Sequence, residues 1–271
     1  MNLADHDSES KREPSLWESF ATAVHFLTRI TISKIALDDG LDHARALNRS
    51  VVFFPVVGGL IGLGTGSLLC GLAWLGFPAL LAAMIAIGIE AYLTGAFHED
   101  AFADTCDALG GGWTREQVLK IMKDSRLGTY GTMGLLIGVS IRWMAVGTMV
   151  QEDWQWTLAA VVAAAALGRF AIVTMMTTTA PIRDRDSQAK DVSGNQSAWR
   201  LLMAGLLMTP FCGYWFAMRP WYAAGALVAA GVVLLWYRHK ILKRLGGTTG
   251  DLLGASGFLV QLVILIGACL P

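Results

Sequence analysis

Five of the ten residues in His98-Glu99-Asp100-Ala101-Phe102-Ala103-Asp104-Thr105-Cys106-Asp107 are acidic or histidine, and the stretch follows directly on a long apolar run. On a helix Asp100, Asp104 and Asp107 stand at i, i+4 and i+7, so the three carboxylates line one face. Like charges at that spacing repel. A hard cation removes the penalty, and carboxylate oxygens are what Mg²⁺ takes, with waters and substrate phosphates completing its shell. An acidic helix end that is only solvated has no reason to begin where an apolar run stops and to keep one face, so a metal site is the better reading.

Two other polar elements carry matching chemistry. Lys123-Asp124-Ser125-Arg126-Leu127-Gly128-Thr129-Tyr130-Gly131 joins two cations and a carboxylate to glycines that let a backbone approach an anion. Gly246-Gly247-Thr248-Thr249-Gly250-Asp251-Leu252-Leu253-Gly254-Ala255 is a turn that opens a helix, whose N-terminus favours anions. Together the three elements describe a diphosphate clamp: Mg²⁺ on carboxylates, cations on the remaining phosphate oxygens, and an incoming hydroxyl in line.

The elements that must position these residues belong to a membrane. Of the 271 residues 54% are hydrophobic and 15% charged, where about 25% charged is ordinary for a soluble domain. A spanning helix needs about 20 mostly apolar residues, and seven stretches qualify, at 51–76, 78–97, 130–150, 157–177, 201–218, 220–237 and 252–270. The expected fold is an all-α, polytopic integral membrane bundle. Residues 15–37 are apolar but interrupted, which predicts an interfacial or re-entrant helix. Residues 1–15 read as a disordered polar tail with no signal peptide, and 16–271 as one transmembrane catalytic domain. The formal net charge is zero, which excludes a nucleic-acid binder held by bulk charge. Cys70, Cys106, Cys212 and Cys269 are too scattered for a disulfide framework or a zinc site.

Basic residues sort between alternate loops. Lys11, Arg12, Arg29, Lys34, Arg45 and Arg49 precede the first span; Arg115, Lys120, Lys123 and Arg126 follow the second; Arg183, Arg185, Lys190 and Arg200, then Arg238, Lys240, Lys243 and Arg244, fill two later loops. Arg219 alone occupies the intervening ones. That alternation puts the N-terminus and all three polar elements on the cytoplasmic side. Gly58, Gly62 and Gly66 repeat every fourth residue and predict close helix packing. Glu90, Arg142 and Arg169 must face the protein interior or an interface, as a structural ion pair or as site residues. His25, Trp74, Trp154, Trp156 and Trp221 read as interface anchors.

Several of these stretches resemble the cobalamin synthase (adenosylcobinamide-GDP ribazoletransferase) family from about residue 16 onward, in order and spacing. They are Phe26-Leu27-Thr28-Arg29, Phe54-Pro55 with Gly58, Thr94-Gly95 followed by His98-x-Asp100 and Ala103-Asp104-x-x-Asp107, Ile121 through Gly131, and Gly247-x-Thr249-Gly250-Asp251-x-Leu253-Gly254-Ala255. The resemblance implies an inner-membrane enzyme of late cobalamin synthesis, assembling the nucleotide loop. The 5′-hydroxyl of α-ribazole, or the ribazole 5′-phosphate, would take the adenosylcobinamide-phosphate moiety from adenosylcobinamide-GDP with Mg²⁺ present, and GMP would leave. On this reading Asp100, Asp104 and Asp107 hold the metal, and Lys123 and Arg126 neutralise the leaving phosphate. Asp124 or His98 accepts the hydroxyl proton, while Arg29, Glu99 and Asp251 contact substrate. The partners implied are these small molecules and the bilayer, with room for a homo-oligomer or for association with other enzymes of the pathway.

The chain departs from the family pattern at Ala101 and Ala108, where glycines are usual, and at Phe258 and Gln261, where acids are common. A CDP-alcohol phosphotransferase needs a D-G-x-x-A-R core and a UbiA-type prenyltransferase needs two aspartate-rich motifs, and neither stands in this sequence. A transporter would spread polar residues toward the midplane near broken helices.

Overall fold

The computed structural model describes residues 12–32, 43–182 and 197–270. The tail through residue 11, and Lys34, Arg183, Arg185 and Lys190, lie outside the described residues. Helix α1 is Leu16–Leu27, opened by a capping box in which Ser15 and Glu18 satisfy each other's backbone N–H groups. At 12 residues it is about 18 Å long, too short to cross a bilayer, as an interfacial helix should be. Helix α2 (His43–Ser50) passes through a 3-10 turn, Val51–Phe53, into α3 (Phe54–Trp74), with Pro55 in the first turn of α3, where its missing N–H costs nothing.

The remaining elements are α4 (Ala79–Thr94), α5 (Phe97–Gly111), α6 (Arg115–Met122), α7 (Thr129–Glu152), α8 (Trp154–Thr178), α9 (Ala198–Met218), α10 (Pro220–Leu245) and α11 (Gly250–Ala268). Six segments among the described residues are long and apolar enough to span, and the α4–α5 pair makes a seventh if it is one broken span. The protein is a polytopic helical membrane protein.

Helix α8 is the central post, with Ala163, Ala164, Ala165 and Ala166 fully buried. Its narrow alanine face admits α3 because the glycine stripe removes Cβ atoms there: a Cβ on Gly58 would stand 2.5 Å from the Ala165 carbonyl oxygen, and one on Gly62 2.8 Å from the Ala165 Cβ. Close backbone contact of this kind holds helices together where lipid offers no hydrophobic drive. Helices α9 and α10 are peripheral and turn Trp199, Leu202, Leu206, Val228, Val232 and Leu235 outward, as lipid-facing helices do. Trp74, Trp154 and Trp221 are exposed at helix ends, but Trp156 is a core residue rather than an anchor: it is 2% exposed, donates its indole N–H to the Ala268 carbonyl (2.8 Å) and stacks on Trp215.

The second apolar stretch does not run on into the acidic segment as one helix. Gly95 (φ 71°) and Ala96 (φ 55°) both take left-handed backbone, and α5 leaves α4 at 88°. Left-handed φ is costly for alanine, so the break needs support. Arg29 supplies part of it: its N–H donates to the Leu93 carbonyl (2.7 Å) and its guanidinium lies against Gly95 and over the Tyr92 ring. The rest comes from an ion pair closed across the bend. Arg142 of α7 meets Glu90 of α4 at 2.5 Å and Glu99 of α5 at 3.2 Å, and Thr65 donates to Glu90 at 2.6 Å. A transporter would expose such charges along its path, whereas these satisfy one another.

The basic loops meet at one end of the bundle. The Arg244 guanidinium donates to the carbonyls of Leu109 and Gly112, Arg115 donates to Leu245 (3.0 Å), and Arg238 donates to Thr178 (2.5 Å). Pro181 pairs with Thr248 through two backbone hydrogen bonds of 2.9 Å.

Candidate active site

Because helix phase restarts at Phe97, the acidic residues keep their common face despite the break. Along α5, Asp100 is exposed, Asp104 half-buried and Asp107 buried, while Ala101, Thr105 and Ala108 form the inner face. That inner face needs small residues. A Cβ on Gly254 of α11 would stand 2.7 Å from the Ala101 Cβ, and Thr105 donates to the Asp251 backbone carbonyl at 3.5 Å. The same packing brings the Asp251 side chain toward the acidic face. Asp104 feels the charges of Asp100, Asp251 and Asp107, and Asp251 feels that of Asp100.

Asp107 also joins two helices. Its two carboxylate oxygens accept the N–H groups of Gly128 (2.7 Å) and Gly131 (2.8 Å). Those amides belong to the start of α7, where N–H groups have no partner within the helix, and the negative charge suits the positive end of the helix dipole. The glycines do let the backbone approach an anion, but the anion is the protein's own. A Cβ on Gly131 would stand 2.2 Å from Asp107 Oδ2 and 2.8 Å from the Ala103 carbonyl. Gly131→Ala is therefore expected to cost about 1–3 kcal/mol, as overpacking does, read as an earlier thermal melt of the detergent-held protein. An unchanged melt would show that this docking does not hold the two helices together.

The other site residues expected from sequence separate into groups. Glu99 pairs with Arg142, while Arg29 is exposed, its guanidinium beside Gly95 and the Tyr92 ring. His98 is 3% exposed, and among the described residues neither ring nitrogen has a hydrogen-bond partner. Asp124 forms an exposed fork with Arg126, at 2.9 and 2.6 Å. The Arg126 side chain, and then its backbone N–H, pull the Asp124 carboxyl down to about 2. A carboxylate that acidic is a weak base at neutral pH. Lys123 and Arg126 lie on the loop that Asp107 docks.

Asp100 and Asp104 make no hydrogen bond or ion pair with protein groups among the described residues. The described His, Cys, Asp and Glu side chains include no group of three drawn together at metal-binding distance. Asp100, Asp104 and Asp251 nevertheless share one electrostatic neighbourhood, and their oxygens are the donor type a hard cation takes. Asp107, each of whose oxygens accepts one backbone amide, keeps lone pairs beside them. Of the family's acidic positions, Phe258 is buried against Phe102, and Gln261 accepts from Arg169 at 3.1 Å.

Beyond Asp107 the same face of α5 reaches Gly111 and a surface cavity of about 290 Å³ lined by Gly111, Trp113, Gln117, Lys120, Ile121 and Asp124. The motifs did not single out Trp113. Its signal was an aromatic residue directly before the Thr114–Gln117 capping box, and in the structure that side chain is exposed.

A family model described as cobalamin-5-phosphate synthase matches residues 19–269. An adenosylcobinamide-GDP ribazoletransferase of Rhizobium etli is 39% identical over 248 residues, covering 90% of this chain and 94% of its own. Proteins of the same name from Klebsiella pneumoniae and Ralstonia pickettii are 36% and 33% identical; the alignments cover 92% and 93% of this chain, and 98% and 94% of theirs. No solved structure matches.

Proposed function

The chain belongs to the cobalamin-5-phosphate synthase family, of the late steps of cobalamin synthesis, and from that premise we propose that it moves adenosylcobinamide phosphate from adenosylcobinamide-GDP to α-ribazole or its 5′-phosphate, releasing GMP. A ribose hydroxyl forms the new O–P bond at the phosphorus that carries the cobinamide. The bond from that phosphorus to the bridging oxygen breaks, and GMP leaves with that oxygen. A product named as a 5-phosphate keeps the phosphate of its acceptor. The nucleophile is then a ring hydroxyl of the ribose rather than the 5′-hydroxyl inferred from the resemblance, and the same hydroxyl serves the unphosphorylated acceptor.

Asp100, Asp104 and Asp251 would hold Mg²⁺, which when bound neutralises diphosphate charge and polarises the phosphoryl oxygens. Lys123 and Arg126 meet phosphate oxygens from the loop that Asp107 docks onto α5. The small inner face of α5, sealed on α11 at Ala101 and Thr105, keeps the carboxylates on a single open side. By the positive-inside rule that side faces the cytoplasm, across the inner membrane.

One observation carries this reading: acidic side chains from α5 and α11 feel one another's charge, with no ion pair to a cation among the described residues, at the end where the basic loops meet. The test is turnover of the nanodisc-held protein with adenosylcobinamide-GDP, α-ribazole and Mg²⁺. GMP release is expected to require both acceptor and metal. Release that persists in EDTA would remove the metal, and no release with either acceptor would remove the transferase.

A further inference from the structure

The α5 face that carries the acids does not end with them. Asp100, Asp104, Asp107 and Gly111 stand at i, i+4, i+7 and i+11, so the cavity at Gly111 lies on the same helix face one turn beyond Asp107, past the Gly128–Gly131 segment that covers Asp107. Asp104 and Gly111 are seven residues apart, about 10 Å of helix, a separation that suits the base of a nucleoside diphosphate whose phosphates lie at Asp104. We propose that this cavity is a guanine subsite, in which Trp113 stacks on the base while Lys120, Gln117 and Asp124 read its edge. The assignment rests on the transferase reading, whose substrate ends in guanosine.

Each wall has the required chemistry. Trp113 is 86% exposed and has no ring contact among the described residues, so its indole face is open to a flat partner. Gln117 Oε1 is occupied by the N–H groups of Trp113 (2.8 Å) and Thr114 (3.1 Å), which fixes the side chain and directs its amide N–H groups elsewhere. With the Lys120 ammonium these are donors for guanine O6 and N7. Asp124 supplies the acceptor. Its partner Arg126 is 86% exposed, and an exposed ion pair of this kind contributes little. The adjacent N1–H and N2–H donors of guanine present the same two-pronged geometry to a carboxylate as a guanidinium does. They take the carboxylate over and release Arg126 toward the phosphates. Cytosine and uracil lack that donor pair, so the cavity selects guanine.

The test is GMP binding to the full chain in nanodiscs, measured by calorimetry without turnover, beside steady-state kinetics with adenosylcobinamide-GDP. Trp113→Ala is expected to weaken GMP about tenfold to a hundredfold, as loss of one base stack does, and to raise KM for the nucleotide substrate with kcat held. Trp113→Phe should restore most of the affinity, and CMP should bind at least about tenfold more weakly than GMP. Equal GMP affinity in wild type and Trp113→Ala would overturn the subsite, as would equal affinity for GMP and CMP. The two readings fail separately. Trp113-dependent GMP binding without any turnover would keep the subsite and remove the transferase, while turnover with Trp113-independent binding would do the reverse.

Discussion

Asp104→Ala is expected to lower turnover about a thousandfold while leaving the protein at least as stable as it was. A bound divalent ion contributes several kcal/mol of charge stabilisation to phosphoryl transfer, and each 1.36 kcal/mol is about a factor of ten in rate, so a lost metal ligand reaches that size. Stability behaves oppositely because the Asp104 side chain has no hydrogen-bond or ion-pair partner to lose among the described residues. It sits half-buried among Asp100, Asp107 and Asp251, and relieving one like-charge i,i+4 pair returns about 0.2–0.5 kcal/mol. Asp107→Ala provides the contrast, since it strips the N–H groups of Gly128 and Gly131 of their acceptor and should lose activity and melting temperature together. Activity and thermal melts of both variants in one detergent would decide. Wild-type turnover in Asp104→Ala would remove this carboxylate from the metal site.

What the sequence made legible was local or periodic. The seven apolar stretches, the glycine stripe of α3 and the common end of the basic loops each follow from a repeat that hydropathy or helix phase exposes directly. The i, i+4, i+7 acids kept their face through an unforeseen 88° break because the pattern needs phase only within α5. The break had a faint signal, a lone Gly95 inside an apolar run, and nothing in the identity of Ala96 announces a left-handed residue. Roles set by distant partners were illegible. Asp107 looks like its neighbours until Gly128 and Gly131 arrive from 21 and 24 residues away. Glu99 looks like a substrate contact until Arg142, 43 residues on, closes upon it. Trp156 carries the interface signature of Trp154, but one helical step turns it toward Trp215 and the core.

Arg142→Met is expected to destabilise the fold by about 3–5 kcal/mol, the usual result of breaking a buried pair from one side. Arg142 is 2% exposed and is the cation that Glu90 and Glu99 contact, so its removal leaves two carboxylates to the one remaining buried cation they feel, Arg169, in a medium that solvates charge poorly. The effect should spread to the site, because the pair clamps α4 and α5 across the break that Gly95 and Ala96 make, and that break sets the direction of the acidic helix. Packing cannot substitute for it, since Met fills the volume without supplying a donor. Adding Glu99→Gln to Arg142→Met leaves Glu90 with Arg169, a buried cation it also feels, and should recover a large part of the loss, because replacing a buried pair by neutral groups is often close to neutral. Inactivation of the detergent-held variants on heating, measured as a rate since such unfolding is commonly irreversible, tests both halves. If the double variant is no more durable than Arg142→Met, stranded charge is not the cause, and the missing guanidinium hydrogen bonds are what the bend depends on.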